Sequence, residues 1–139
     1  MTVYLDTSVL LRWLLNSKDK SDDFFKWETC ISSELIAIET NRVLNRLRLE
    51  NQISDKDFAL LHQTFQEFYD SLSVIEINKA VKKRAAEPFP TILGTLDAIH
   101  LSSAILWQEI YPDVELKIFT HDTQLATAAI AVGLKTRGL

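Results

Sequence analysis

The 139-residue sequence contains little cysteine, glycine or proline, and each shortage narrows the class of protein. One cysteine, Cys30, cannot form a disulfide within the chain, which excludes a disulfide-stapled secreted fold and makes a reducing cytoplasm the expected compartment. Three glycines and three prolines are too few for a low-complexity tract or a flexible linker. We therefore expect one compact domain over residues 1–139.

Long apolar runs and an excess of positive charge are also missing. No run approaches the roughly 18 residues of a membrane-spanning helix. The segment MTVYLDTSVLLRWLL has no basic leader and Asp6 interrupts it, so we expect neither a signal peptide nor a membrane partner. The net charge of −4 is only a weak argument against a nucleic-acid partner, because bound cations cancel the charge of a carboxylate metal site locally.

Hydrophobic residues make up 47% of the chain and form short β-rich runs that alternate with stretches of helical periodicity. The runs TVYLD, TCISS, LSVIEI, LKIFT and LKTR predict five strands. The intervening stretches predict helices, including Asp22 to Glu28, Ser33 to Glu50 and Leu96 to Tyr111. This alternation indicates an α/β layered domain with a mainly parallel sheet, whose ligand crevice lies outside the carboxyl ends of the strands.

Four carboxylates stand at positions where such a crevice is expected. Asp6 follows the first strand, Asp122 comes two residues after the fourth, Asp97 opens an apolar helix, and Glu39 borders the apolar stripe of a long helix. Taken singly, each aspartate is explained by helix capping and the glutamate by a solvated helix face. Together, without a Cys/His ligand set, the four acids favour Mg²⁺ or Mn²⁺ over Zn²⁺.

The segments around these acids resemble a PIN-domain ribonuclease of the VapC toxin type. The matching segments are YLDTSVLLRWL, SELIAIETNRVL, TLDAIHLSSA and FTHDTQLATAA with a following Gly133, and they occur in the family's order over nearly the whole chain. The resemblance implies a three-layer α/β/α PIN-like fold with a mainly parallel sheet of about five strands. It also implies that Asp6, Glu39, Asp97 and Asp122 are the catalytic, metal-binding acids, with Glu39 preferred to Glu34.

The same resemblance implies an activity and partners. The activity is Mg²⁺- or Mn²⁺-dependent endonucleolytic cleavage of cellular RNA by in-line hydrolysis, which leaves 5′-phosphate and 3′-hydroxyl ends. The partners are the RNA substrate, a cognate VapB-type antitoxin whose C-terminal segment occupies the acidic groove, and a second copy in a homodimer. The alternative hypothesis is a catalytically inactive PIN-like domain that binds protein or RNA.

Several polar residues near the acids are candidates for auxiliary or substrate-binding roles. Thr7, Ser8 and Thr120 could hold a phosphate or a water, or could cap helices and end a strand. Arg42 follows Glu39 by one turn and could contact RNA or form an ordinary surface pair with that glutamate. For His100, three residues after Asp97, we expect a buried histidine with satisfied hydrogen bonds, and the alternative is an interaction with the acid site.

Overall fold

The computed structural model describes residues 1–16 and 24–138, which form a five-stranded sheet flanked by helices. All strand pairs are parallel, and the strand order is β3-β2-β1-β4-β5. The strands are β1 (Thr2–Leu5), β2 (Thr29–Ser33), β3 (Ser73–Ile75), β4 (Leu116–Phe119) and β5 (Lys135–Arg137). The helices are α1 (Thr7–Leu15), α2 (Leu35–Leu49), α3 (Asp55–Asp70), α4 (Lys79–Ala85), α5 (Thr95–Ile110) and α6 (Thr123–Ala131).

The side chains of β1 alternate between two apolar cores on opposite faces of the sheet. Val3 and Leu5 enter a core that they share with α1, α2 and α3, whereas Tyr4 enters a second core shared with α5 and α6. A central strand buried on both faces has no solvated side, which is the reason for its nearly continuous apolar sequence. The expected three-layer α/β/α architecture with a parallel sheet is therefore confirmed.

The connections reverse direction at β1, and this places a crevice between β1 and β4. From β1 the chain moves outward through β2 and β3, then crosses to β4 on the other side and continues to β5. Leu5 pairs with Phe119, so the two strands end side by side. The residues that follow them, from Asp6 and from Thr120, consequently meet at one rim, at the switch point where open α/β sheets bind ligands.

Two expectations about local structure are wrong. Residues 24–28 of the predicted Asp22 to Glu28 helix form a turn and irregular chain, and residues 22–23 lie outside the described residues. Phe25 has a φ of 74°, and Phe24 stacks on Trp13 at a centroid distance of 4.7 Å. Packing of large aromatic side chains therefore replaces the helix. In α2, the helical periodicity of the sequence predicts Ile38 on the apolar face, but Ile38 is 54% exposed, and the buried stripe of the helix runs through Ile36, Thr40 and Leu44.

Within the described ranges, no helix combines the length and the apolarity needed to cross a membrane.

Candidate acidic active site

Asp6 occupies the N-cap position of α1, but its carboxylate does not cap the helix. Oδ2 of Asp6 accepts hydrogen bonds from Ser8 Oγ at 2.6 Å and from Thr120 Oγ1 at 2.8 Å. Thr120 reaches Asp6 because the ends of β1 and β4 are in register. The residue is only 4% exposed, so the two hydroxyl groups orient a nearly buried carboxylate and leave Oδ1 available.

Glu39 lies in the second turn of α2, and its side chain is oriented by two donors on the same oxygen. Oε1 accepts from Thr7 Oγ1 at 2.8 Å and lies 2.6 Å from His100 Nε2. Glu34, the alternative glutamate, has a different task, because its Oε1 accepts from the backbone N–H of Ile77 at 2.7 Å. The structure therefore brings Glu39, and not Glu34, to the rim that holds Asp6.

Asp122 does cap a helix, and it is also linked to Asp6. Its Oδ1 accepts from the backbone N–H of Leu125 at 3.0 Å at the start of α6. Its own backbone N–H donates to Thr120 Oγ1 at 3.0 Å, while the Thr120 hydroxyl donates to Asp6. The neighbouring His121 backbone N–H donates to Ser8 Oγ at 3.0 Å. One hydroxyl network thus connects the segments that carry two of the acids.

Asp97 lies in the first turn of α5 and has no such support. Among the residues that the structure describes, none donates a hydrogen bond to its carboxylate, and the N-cap of the helix is Gly94. Burial raises the pKa of Asp97 from 3.8 to about 6, with further upward contributions from the charges of Asp122, Asp6 and Glu39. The four acids therefore interact electrostatically, and Asp97 is the one whose negative charge the protein leaves least compensated.

The raised pKa of Asp97 predicts that replacing it by Asn stabilises the cation-free protein above about pH 6. The folded state binds the Asp97 proton more tightly than the unfolded chain does. The protonated Asp97 therefore stabilises the wild type fully below about pH 4, and this contribution is lost as the pH rises through about 6. The full shift corresponds to roughly 3 kcal/mol. Solvent screening of a half-buried group reduces the expected gain to about 1 kcal/mol, or about 4 °C in Tm.

Thermal unfolding in EDTA across this pH range measures the effect, with Asp113→Asn on an exposed turn as the control. The Tm difference between Asp97→Asn and the wild type should grow in favour of the variant as the pH rises, and Asp113→Asn should show no comparable trend. A difference for Asp97→Asn that is independent of pH would contradict the prediction.

The sequence matches the family model of the PIN domain over residues 3–131. The chain belongs to the PIN domain family. The match covers all four acids, so the family resemblance found in the sequence is confirmed. No curated protein sequence matches the chain at a significant level.

Solved structures show that the fold of this PIN domain is shared with proteins of very different sequence. VapBC2 from Rickettsia felis, bound to a DNA fragment from its promoter, matches with a TM-score of 0.69 at 14% identity. DNA-bound VapBC from Salmonella typhimurium matches with a TM-score of 0.69 at 13% identity, and VapBC-1 from nontypeable Haemophilus influenzae with 0.63 at 11%. Each match covers 99% of this chain and 98% of the other.

The donor atoms at the rim of this PIN domain fit a hard divalent cation. Over residues 1–16 and 24–138, no three carboxylate, imidazole or thiol side chains meet as a ready-made coordination shell. Mg²⁺ does not need one, because it binds through one or two carboxylates and keeps several waters. Asp97 has no hydrogen-bond donor in the described part of the chain and lies near three other acids, and a bound cation would stabilise this arrangement by offsetting the burial and the repulsion that raise the pKa of Asp97.

The remaining sequence candidate, Arg42, is not brought to the acids. It is exposed on α2 and lines a groove of about 400 Å³ with Asn45, Arg46 and Glu50. No carboxylate of the described chain lies within ion-pair distance of the Arg42 guanidinium, so the surface pair with Glu39 does not form. Its role in RNA binding stays a prediction.

Sequence reasoning did not single out Tyr4, whose hydroxyl lies 2.7 Å from His100 Nδ1. Both side chains are fully buried. The available signal was spacing: Tyr4 precedes Asp6 by two residues on a strand, and His100 follows Asp97 by almost one helical turn. A phenol and an imidazole so close to two acids in sequence indicate a polar connection behind the site.

Proposed function

We propose that this PIN domain is a VapC-type toxin, an endoribonuclease that requires Mg²⁺ or Mn²⁺ and hydrolyses phosphodiester bonds in cellular RNA. The observation that carries the proposal is the Asp97 carboxylate, which is half-buried and has no hydrogen-bond donor among the described residues. Burial and the charges of the other three acids raise its pKa. A purely structural cap would not need three acidic neighbours. A bound cation would offset the repulsion among these four acids, of which Mg²⁺ needs only one or two as direct ligands.

In this proposal Asp6, Asp97, Asp122 and Glu39 would hold one or two cations. When bound, such a cation supplies Lewis acidity, polarises the phosphate and lowers the pKa of a water. The chain contributes orientation: Ser8 and Thr120 hold Oδ2 of Asp6, and Thr7 and His100 hold Oε1 of Glu39. These donors keep two of the carboxylates in fixed positions before substrate binds, so little reorganisation accompanies the reaction.

Cation binding at the acids predicts a thermal shift that depends on them. Mn²⁺ or Mg²⁺ at about a hundred times Kd should stabilise the wild type by about 2.7 kcal/mol. Asp97→Asn should gain much less from the cation, although it is the more stable protein in EDTA. Asp113→Asn serves as the matched control and should respond as the wild type does.

The same titration distinguishes the two functional hypotheses. An inactive PIN-like domain that only binds a partner has no need of a cation, and an equal Mn²⁺ response in the wild type and in variants of all four acids would favour it.

A covalent nuclease mechanism has no support at Cys30, because burial raises the pKa of that thiol to about 12 and leaves it protonated.

The proposed partners follow from the same family type. The similar solved structures are VapBC complexes, two of them bound to DNA, which supports a VapB-type antitoxin as the partner of this chain. The antitoxin would occupy the acidic rim with its C-terminal segment and inhibit cleavage. We also propose that the chain forms a homodimer, is located in the cytoplasm and acts as a single functional unit over residues 1–139.

A further inference from the structure

His100 is completely buried in α5, and both of its ring nitrogens have side-chain partners. Nδ1 lies 2.7 Å from the hydroxyl of Tyr4, which is itself fully buried on β1. Nε2 lies 2.6 Å from Oε1 of Glu39 on α2. The imidazole ring therefore connects the central strand β1 to Glu39, the candidate acid in the second turn of α2.

The atoms that surround Nε2 require it to carry a proton. Its nearest neighbours are Glu39 Oε1 at 2.6 Å, Thr7 Oγ1 at 3.3 Å and Asp6 Oδ1 at 3.7 Å. Thr7 donates its own proton to Glu39, so each of these oxygens presents a lone pair to the ring. A neutral ring with its proton on Nδ1 would place an unprotonated Nε2 against these three acceptors, so the Nε2–H tautomer fits the described neighbours.

Tyr4 defines the orientation of the ring. The Tyr4 hydroxyl lies 2.7 Å from Nδ1, and a phenol can donate its proton to a ring nitrogen that carries none. The two rings also meet edge to face, with centroids 5.8 Å apart and an interplanar angle of 82°. A ring held at Nδ1 and by this packing presents Nε2–H to Glu39 in a single direction.

We propose that His100 is a positioning residue for the reaction, which fixes the Glu39 carboxylate through Nε2–H while Tyr4 fixes the imidazole. The terminal torsion of a glutamate is broad, so an unclamped Glu39 would adopt several orientations. With His100 and Thr7 both on Oε1, Oε2 has no donor within the described chain and is left for a cation or a water. This inference rests on the proposed function, because it assigns His100 a part in that reaction.

Two substitutions of His100 separate positioning from core packing. The amide of Asn reaches the place of Nδ1 and can keep the contact with Tyr4, whereas the amide of Gln reaches the place of Nε2 and can keep a donor to Glu39. Both remove the ring. If His100 matters only for packing, His100→Asn and His100→Gln should therefore lower kcat to the same extent.

We expect His100→Asn to lower kcat by about 10- to 100-fold, which is typical for the loss of a hydrogen-bonding partner behind a metal ligand. KM should change little, because the RNA-binding surface is intact. His100→Gln should recover most of the lost kcat. The measurement uses the full chain and a synthetic RNA that carries a mapped cleavage site, and Tm values of both variants control for folding. Equal kcat for the two variants at equal stability would overturn the positioning role.

A second measurement needs neither activity nor a folded variant of His100. The ¹⁵N NMR signals of the His100 ring, in the cation-free wild-type chain, should show a protonated Nε2. His62→Gln and His121→Gln variants assign the other two imidazoles. A non-protonated Nε2 would overturn the inference even if the enzyme is active. Conversely, a wild type that cleaves no RNA but shows a protonated Nε2 refutes the proposed function and leaves His100 a buried structural residue, which also overturns the positioning role.

Discussion

Replacing Asp97 by Asn should reduce Mg²⁺-dependent RNA cleavage by about a hundredfold or more, in a protein that is more stable without the cation. Asn keeps the size and shape of the side chain but removes the charge. Asp97 has no hydrogen-bond donor within the described chain, so nothing else depends on its carboxylate for its own partner. The loss of activity and the gain in stability should therefore appear together, as expected where function requires a destabilising charge.

Two assays measure this result. Purified wild type and Asp97→Asn are compared on RNA with Mg²⁺ or Mn²⁺, and 5′ ends are mapped in cells that express either protein. A discrete set of cuts that requires Asp97 would identify the substrate as well as the activity. Asp113→Asn is the matched control, because it removes one acid from an exposed turn, and this variant should cleave RNA normally. Near-full activity of both Asp97→Asn and Asp6→Asn would refute the assignment of the site.

Hydrophobic pattern predicted most elements of this fold, but it did not predict the lateral order of the strands. Strand positions follow from short apolar runs, and the sheet is parallel because helices separate those runs. The order β3-β2-β1-β4-β5 depends on which strand edges pair, and this is a tertiary choice that no local pattern encodes. The exposure of Ile38 has the same origin, since tertiary packing decides which face of α2 is buried: Ile36 packs in the core that contains Val3 and Leu5, and Leu44 is fully buried.

The meeting of Asp6 and Asp122 at one rim could be predicted, because parallel strands deliver their carboxyl ends to the same edge of the sheet. Asp6 and Asp122 lie there for that reason, and Thr120 reaches Asp6 because β1 and β4 end in register. The connection from Tyr4 through His100 to Glu39 could not be predicted in the same way. It joins residues 96 and 61 positions apart, and only the packed helices show that the ring nitrogens meet those oxygens.

Substitutions of Asp122 should also have a large effect, because its carboxylate stabilises the fold and, by our proposal, takes part in the reaction. Oδ1 caps α6 through the backbone N–H of Leu125. Asn caps a helix about as well as Asp, whereas Ala costs about 1 kcal/mol. Asp122→Asn should therefore fold with nearly wild-type Tm and still lose cleavage by about a hundredfold, because the charge is gone. Asp122→Ala should lose both stability and activity.

Ser54 offers the matched control for capping alone. Its hydroxyl accepts from the backbone N–H of Asp57 at 3.1 Å at the start of α3, and it takes no part in the hydroxyl network around the acids. Ser54→Ala should lower Tm about as much as Asp122→Ala, by about 1 kcal/mol in unfolding free energy, and leave cleavage unchanged. If Asp122→Asn instead retains activity, then capping alone accounts for Asp122, and the cation would be held by Asp6, Asp97 and Glu39 without it.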